Sequence, residues 1–339
     1  MTAPEPLAEE RPGPGSRRTT IELSARHAPR PDDGWREHFL RLWPGYRRWF
    51  LSRQRDEPPS LEASRRQLGR QMPELLPLWE ELCSVARGAG AGDLAARFLT
   101  LYRPPPFLTG CSLVATWDPA TGEPVLVRNY DYDPALWEGT LWHTTWGAKR
   151  VLSMSDCLWG ALDGINEHGL AVALAFGGRR VVGDGFGIPL IVRWLLERCA
   201  TVEEAAQALA RVRCHMAYNL LMVDAQGAHL AVELAPDRPH RFSDRRVVTN
   251  HQGTGGDWPA YEQVSRTHQR AAALDEWLEW LERAPSRPLT SIDEPLRSEP
   301  VFASDFERSF ATLYTATWRP RQLCGEIAAR GRGAIVVHC

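Results

Sequence analysis

The spacing of apolar residues changes abruptly at one place in this sequence, immediately after three consecutive prolines at 104–106. Before them, over residues 34–101, apolar residues recur at helical spacing. The prolines end any helix, because proline lacks the amide hydrogen and its ring clashes with the preceding turn. From Cys111 onward, short apolar stretches alternate with turn sequences, which is typical of strands. The chain therefore has to combine a helical N-terminal segment with a strand-rich remainder.

Three hairpins are predicted in that remainder, because turn-forming residues separate paired apolar stretches. Their strands are expected at 111–117 with 125–132, 159–165 with 170–176, and 219–223 with 229–234. Further short strands are expected at 246–250, 310–318 and 333–337. Helices are expected at 188–199, from Thr201 onward, and at 261–283. This order of helices and antiparallel strands predicts a layered α+β fold and not a parallel βαβ sheet.

The same patterns divide the chain into three parts. Residues 1–32 are rich in proline, arginine, glutamate and glycine, which predicts a disordered tail. Residues 33–110 form the helical segment, and residues 111–339 form the strand-rich domain. The glycine-rich run GGRRVVGDGFG at 177–187 is not a phosphate-binding loop, because no GK[ST] follows it.

Composition excludes several classes of function. The net charge of −2 provides no field that would attract nucleic acid or an anionic membrane. The seven cysteines show no CxxC spacing, which argues against a disulfide framework and a zinc site and favours a reducing compartment. No apolar run approaches the ~20 residues of a membrane span, and the N-terminus lacks the pattern of a signal peptide. We therefore expect a cytoplasmic protein without a nucleic-acid partner or a membrane span.

Cys111 is the strongest candidate for chemistry, although a lone cysteine in a strand is usually a small buried hydrophobe. Gly110 precedes it, and the change from helical to strand pattern falls at that bond. Arg128 and Asp131 lie on the adjacent strand of the hairpin, and we expect the connection up to Thr109 to be accessible. A cut before Cys111 would give it an α-amino group with a pKa of about 8, so one residue would supply both nucleophile and base. Such a site needs no histidine or lysine as base.

Five segments between residues 110 and 320 carry a family resemblance, and they stand in the family's order: GCSLVAT, RNYDYD, GINEHGLAV, VVTNHQ and SFATLYTATWRP. Together they resemble the acyl-CoA:6-aminopenicillanate acyltransferase family, which is related to the bile-salt and penicillin V acylases and to acid ceramidase. The resemblance implies the four-layer αββα sandwich of N-terminal-nucleophile hydrolases. It also implies self-cleavage between Gly110 and Cys111, with the helical pro-segment kept as a small subunit. Amide hydrolysis or acyl transfer without a metal or cofactor is implied as well. The expected substrate is a small-molecule amide or acyl compound.

The resemblance implies roles for three residues around the proposed cut. Cys111 matches the nucleophile, and Arg128 and Asp131 match an R-x-x-D pair. Asp131 would bind the free α-amino group, and Arg128 would hold the thiolate. The alternative for the last two is a surface or structural ion pair, which these two residues alone, without the resemblance, would favour.

Two further residues are implied by the later segments. Asn250 matches an asparagine whose side-chain amide stabilises the oxyanion, an effect worth a few kcal/mol; the alternative is a strand-end asparagine in a turn. We expect this strand end to lie near solvent. Arg270 fits the arginine of an S/T-x-x-R pattern best, and Arg266 is the alternative. We interpret Asn219 as a structural residue that bonds backbone groups. The bile-salt branch has a second asparagine where this chain has Ala175, so the second oxyanion donor must come from backbone N–H groups or from elsewhere.

The leading hypothesis is an amidase that forms a thioester on Cys111. Its close rival is an acyltransferase, in which an amine and not water resolves the thioester. A non-catalytic binding module on the same fold is a third possibility. Trp137, Trp142 and Trp146 would line an acyl pocket or belong to the core. Acyl chain, leaving group and oligomeric state stay open.

The sequence predicts that the purified protein separates on a denaturing gel into a fragment that ends at Gly110 and one that starts at Cys111. N-terminal sequencing of the larger fragment, under reducing conditions, checks the position of the cut. The variant Cys111→Ala is the control and should remain a single chain, because alanine has no nucleophilic atom. A wild-type chain that stays uncut would contradict self-processing.

Overall fold

The computed structural model describes residues 21–53, 58–283, 292–304, 311–331 and 333–339. Within these residues the chain forms α-helices and strands, which are numbered in chain order. The helices are α1 Asp33–Ser52, α2 Leu61–Gln71, α3 Leu76–Gly88, α4 Asp93–Leu99, α5 Ile188–Arg198, α6 Val202–Leu209, α7 Pro259–Ser265 and α8 Thr267–Arg283. The strands are β1 Ser24–Ala28, β2 Gly110–Asp118, β3 Glu123–Tyr132, β4 Thr140–Thr144, β5 Val151–Asp156, β6 Gly160–Asn166, β7 Ala171–Phe176, β8 Tyr218–Val223, β9 His229–Leu234, β10 Arg241–Ser243, β11 Val247–Val248, β12 Ala311–Arg319, β13 Cys324–Ala329 and β14 Ala334–His338.

Two sheets face each other in the centre of the molecule. One has eight strands in the order β1-β4-β5-β6-β7-β8-β9-β10, and the other has six in the order β11-β2-β3-β12-β13-β14. Strands β2 and β3 of the second sheet contact β7 and β8 of the first. Helix α5 packs on β6 and β7, whereas α8 packs on β2 and β11. This arrangement of helix, sheet, sheet and helix confirms the predicted αββα sandwich.

The helices of the N-terminal segment 33–110 share the core of the strand-rich domain. The ring of Trp35 in α1 is fully buried, and its Nε1 donates to the carbonyl of Leu158 at 2.9 Å. In the opposite direction, Nε1 of Trp159 donates to the carbonyl of Leu99 at 2.9 Å. Buried apolar surface stabilises by roughly 25 cal/mol per Å². The described part of segment 33–110 is therefore part of the folded body and not an appendage to it.

The sequence did not predict every element. Strand β1 pairs in parallel with β4 and lies within residues 1–32, so the tail expected there gives way to ordered structure by residue 24. Residues 1–20 of that tail, and residue 310 of the strand expected at 310–318, lie outside the described residues. Strands β4, β5, β10 and β13 were also not predicted. No helix described is long and apolar enough to cross a membrane.

The long helix expected at 261–283 is two helices. Arg266 separates α7 from α8 and adopts a left-handed conformation, with φ of 50°. That conformation is unfavourable for a side chain with a Cβ atom, by about 1–2 kcal/mol. The break places Thr267 at the start of α8, where its hydroxyl accepts the backbone N–H of Asn250 at 2.8 Å. Tertiary contacts thus override the helical periodicity at this point.

Candidate active site

Cys111 lies at the start of β2, where it pairs with Tyr130 of β3. Its neighbour Gly110 pairs with Asp131, and a Cβ atom added to Gly110 would lie only 2.9 Å from the Cβ atom of Asp131. A glycine is therefore required at this position, because any side chain would collide with the carboxylate residue. Thr109, Gly110 and Cys111 are all buried, whereas residues 106–108 are half-buried, so the connection that was expected to be accessible is only partly exposed.

The sulfur of Cys111 contacts Arg128, whose Nη2 donates to Sγ at 3.4 Å. Burial raises the pKa of the Cys111 thiol above its ordinary value, and the Arg128 guanidinium opposes that rise. The hydroxyl of Thr109 lies 3.7 Å from the same sulfur. The sulfur thus lies in a dry site with one positive charge beside it.

Arg128 does not pair with Asp131, its partner in the R-x-x-D pattern. Its Nη1 forms a fully buried ion pair with Asp163 of β6 and donates to the hydroxyl of Tyr314 at 2.6 Å. Residues three apart on a strand point to opposite faces, so Arg128 faces the eight-stranded sheet and Asp131 faces away from it. The alternative of a surface ion pair is excluded, because the exposed fraction of the Arg128 side chain is 0%.

Asp131 lies on the other side of β3, close to Gly110. Its Oδ1 accepts the hydroxyl of Thr312 at 2.7 Å, and its Oδ2 is 3.6 Å from Nη1 of Arg270. Burial raises the pKa of Asp131 above its ordinary value, and the Arg270 guanidinium opposes that rise.

The side chain of Asn250 is fully buried, and both its oxygen and its nitrogen have hydrogen-bond partners. The expectation of a residue near solvent was therefore wrong. Its Oδ1 accepts the backbone N–H of Cys111 at 2.9 Å and Nη2 of Arg270 at 2.7 Å. Its Nδ2 donates to the carbonyl of Phe176 at 3.0 Å and to that of Thr109 at 3.3 Å. These partners fix the orientation of the amide, because two donors meet the oxygen and two acceptors meet the nitrogen.

Arg270, and not Arg266, reaches the site. Its Nη1 donates to the carbonyl of Cys111 at 2.6 Å and to the hydroxyl of Ser112 at 2.7 Å. Arg266 instead donates to the carbonyl of Pro300 at 3.1 Å. The structure thus brings all the predicted site residues together around the backbone and sulfur of Cys111.

Several supporting residues were not found from the sequence. Asp163 accepts from Tyr314 and from Nε1 of Trp318, in addition to Arg128. A signal was present, since Asp163 is the one acid in the apolar stretch 159–165, and a buried carboxylate needs a partner. Tyr261 of α7 carried no such signal, yet its hydroxyl donates to the carbonyl of Thr109 at 2.7 Å.

The remaining candidates have structural positions. Asn219 bonds backbone as expected, because its Nδ2 donates to the carbonyls on either side of Asn250, those of Thr249 and His251, at 3.0 and 2.9 Å. Trp142 and Trp146 belong to the core. The ring of Trp137 stacks on Tyr314, with their centroids 5.8 Å apart.

Comparison with solved structures shows the same fold in a known enzyme. A mutant of the conjugated bile acid hydrolase from Clostridium perfringens superposes with a TM-score of 0.51 at 14% identity and covers 67% of this chain and 92% of its own. Penicillin V acylase from Agrobacterium tumefaciens gives a TM-score of 0.42 at 15% identity, with 68% and 78% covered. The N-acylethanolamine-hydrolyzing acid amidase ortholog of Caenorhabditis elegans gives 0.41 at 17%, with 62% and 93% covered.

Comparison by sequence identifies the family. A search of curated proteins found no match. A profile of the acyl-coenzyme A:6-aminopenicillanic acid acyl-transferase family matches residues 117–333, which is more than half of the chain. The match begins shortly after Cys111 and contains Arg128, Asp131, Asn250 and Arg270. The chain therefore belongs to the acyl-coenzyme A:6-aminopenicillanic acid acyl-transferase family, and it is an enzyme of the amidase or N-acyltransferase class.

Proposed function

We propose that this enzyme cleaves a linear amide C–N bond through a thioester on Cys111, and that it is activated by self-cleavage between Gly110 and Cys111. One observation carries the proposal: separate side chains hold the N–H, the carbonyl and the sulfur of Cys111. Asn250 accepts from the N–H, Arg270 donates to the carbonyl and Arg128 donates to the sulfur. A cysteine whose role was only to fill space would not need such contacts.

Self-cleavage begins with attack of the Cys111 sulfur on the carbonyl carbon of Gly110. The C–N bond breaks as the C–S bond forms, and the nitrogen of Cys111 takes up the thiol proton. Water then hydrolyses the thioester and leaves a carboxylate on Gly110 and a free α-amino group on Cys111. Asp131 lies against Gly110 and would bind that amino group. Opposite charge within a few ångströms favours the ammonium form.

Turnover uses the same sulfur with the new amino group as base. The amino group takes the thiol proton, and Arg128 stabilises the thiolate that attacks the substrate carbonyl. The side-chain amide of Asn250 donates to the oxyanion as it forms. The ammonium group then gives its proton to the leaving amine, and water releases the acid from the thioester. Arg270 keeps Asn250 and the carbonyl of Cys111 in position.

The pro-segment stays bound after the cut. Its buried contacts, such as the hydrogen bonds of Trp35 and Trp159 across the boundary, do not involve the scissile bond. Cleavage removes one covalent link and none of this buried surface. The pro-segment would thus remain as the small subunit of a two-chain enzyme.

Acyl transfer is the second candidate, and the name of the family favours it. It shares every step up to the thioester, after which an amine attacks in place of water. The products distinguish the two activities. With an acceptor amine added, a hydrolase still yields mainly the free acid. An acyltransferase instead yields a new amide, in proportion to the acceptor, while total turnover stays constant.

Cysteine substitutions test the assignment of the nucleophile. With the 4-nitroanilides of octanoic and phenylacetic acid as probes, Cys111→Ala should abolish release of 4-nitroaniline. Cys157→Ala and Cys214→Ala remove equally buried thiols and should keep turnover within about three-fold, because neither sulfur enters the mechanism. An equal loss from Cys157→Ala would assign the nucleophile elsewhere.

Asn250 should contribute to stability as well as to turnover. In a Cys111→Ala background, which keeps the chain uncut, Asn250→Ala should lower the free energy of unfolding by about 2–3 kcal/mol in urea, because buried backbone groups lose their partners. Gln322→Ala removes an exposed amide and should change it by less than about 0.5 kcal/mol. Equal effects of the two substitutions would contradict the bonded, buried position of Asn250.

A further inference from the structure

The carbonyl oxygen of Thr109 is held by side chains from a distant part of the sequence. It belongs to the residue before the proposed cleavage site, and it accepts two side-chain hydrogen bonds. The hydroxyl of Tyr261 donates to it at 2.7 Å and Nδ2 of Asn250 donates at 3.3 Å. The hydroxyl of Thr109 itself lies 3.7 Å from the sulfur of Cys111. Two donors that converge on one carbonyl oxygen beside a nucleophile have the form of an oxyanion hole.

Tyr261 is held rigidly in this position. Its ring packs edge-on against Phe176 and stacks on Trp258, with centroids 5.2 Å apart in both cases. The side chain is buried, and burial raises the pKa of its hydroxyl far above the ordinary value. The hydroxyl therefore keeps its proton and acts as a donor, as in its hydrogen bond to Thr109.

We propose that Tyr261 is the second oxyanion donor, acting together with Asn250, and that the Thr109 carbonyl occupies the place of the substrate carbonyl in the uncut chain. The proposal rests on the nucleophile assigned above to Cys111. It supplies the donor that Ala175, with no hydrogen-bonding side chain, does not provide. The end of the pro-segment then fills the substrate position of the active site until the chain is cut.

Cleavage gives the Thr109–Gly110 end of the pro-segment a physical reason to leave the site. The new carboxylate of Gly110 forms directly against Asp131, in a buried place. The Arg270 guanidinium and the new Cys111 ammonium both face Asp131, so two carboxylates compete for them in a poorly solvated site, and the chain end that is free to move withdraws to water. Withdrawal of the Thr109–Gly110 end exposes the hydroxyl of Tyr261 and the amide of Asn250. A substrate carbonyl then takes the vacated position, and its oxygen receives the electron pair as the bond to Cys111 forms.

Two thiol reagents separate an oxyanion donor from a residue that merely shapes the site. β-Butyrolactone acylates a thiol through a tetrahedral oxyanion, whereas iodoacetamide alkylates it by direct displacement with no oxyanion. In cleaved protein, Tyr261→Phe should slow acylation of Cys111 by the lactone by about 10²-fold and change alkylation by iodoacetamide less than about three-fold. The rates are measured by intact mass of the fragment that starts at Cys111, and only the lactone adduct that hydroxylamine removes is counted, because ring opening at the alkyl carbon gives a stable thioether of the same mass.

Tyr218→Phe is the matched control. Tyr218 is also buried, also contacts Phe176, and donates to the carbonyl of Phe107 at 3.2 Å, two residues upstream of Thr109. It should change neither rate by more than about three-fold. Equal slowing of both reagents by Tyr261→Phe, or no slowing of the lactone, would overturn the role of Tyr261. A wild-type Cys111 that reacts with neither reagent would instead refute the proposed nucleophile, and this inference with it.

Discussion

A buried ion pair between Arg128 and Asp163 joins the two sheets next to the sulfur of Cys111. Arg128 comes from β3 of the six-stranded sheet and Asp163 from β6 of the eight-stranded sheet, and neither side chain is exposed. Loss of one partner would leave an uncompensated charge in the interior, at a cost of about 3–5 kcal/mol. The contact of Arg128 with the sulfur depends on this pairing, and so the proposed chemistry depends on how the two sheets pack.

Local sequence patterns predicted the features that depend on residues close together in the chain. The hairpin turns, the change of period at the prolines and the order of elements indicated a layered α+β fold, and the family segments specified the αββα sandwich, which the structure confirms. The same segments identified the candidate site residues Cys111, Arg128, Asp131, Asn250 and Arg270. The structure places these side chains in contact around Cys111. Their catalytic roles stay predictions.

The features that the sequence did not predict depend on contacts between distant segments. Strand β1 exists because its backbone pairs with β4, more than a hundred residues away, and its sequence SARHA carries little strand preference. The break at Arg266 opposes a continuous helical pattern and is set by the contact of Thr267 with Asn250. Burial of Asn250 follows likewise from how α8 packs on β2, and the position of Tyr261 follows from its contact with Phe176 of β7. Periodicity along the chain does not show such contacts.

The most direct test is to trap the acyl group on the enzyme. Cleaved protein is mixed with the 4-nitroanilide of octanoic acid, quenched in acid during turnover, digested and mapped by mass spectrometry. An octanoyl group should be found on the peptide that begins with Cys111, on its sulfur, and hydroxylamine should remove it. An octanoyl group on another residue, or on a chain still joined at Gly110, would contradict Cys111 as an N-terminal nucleophile.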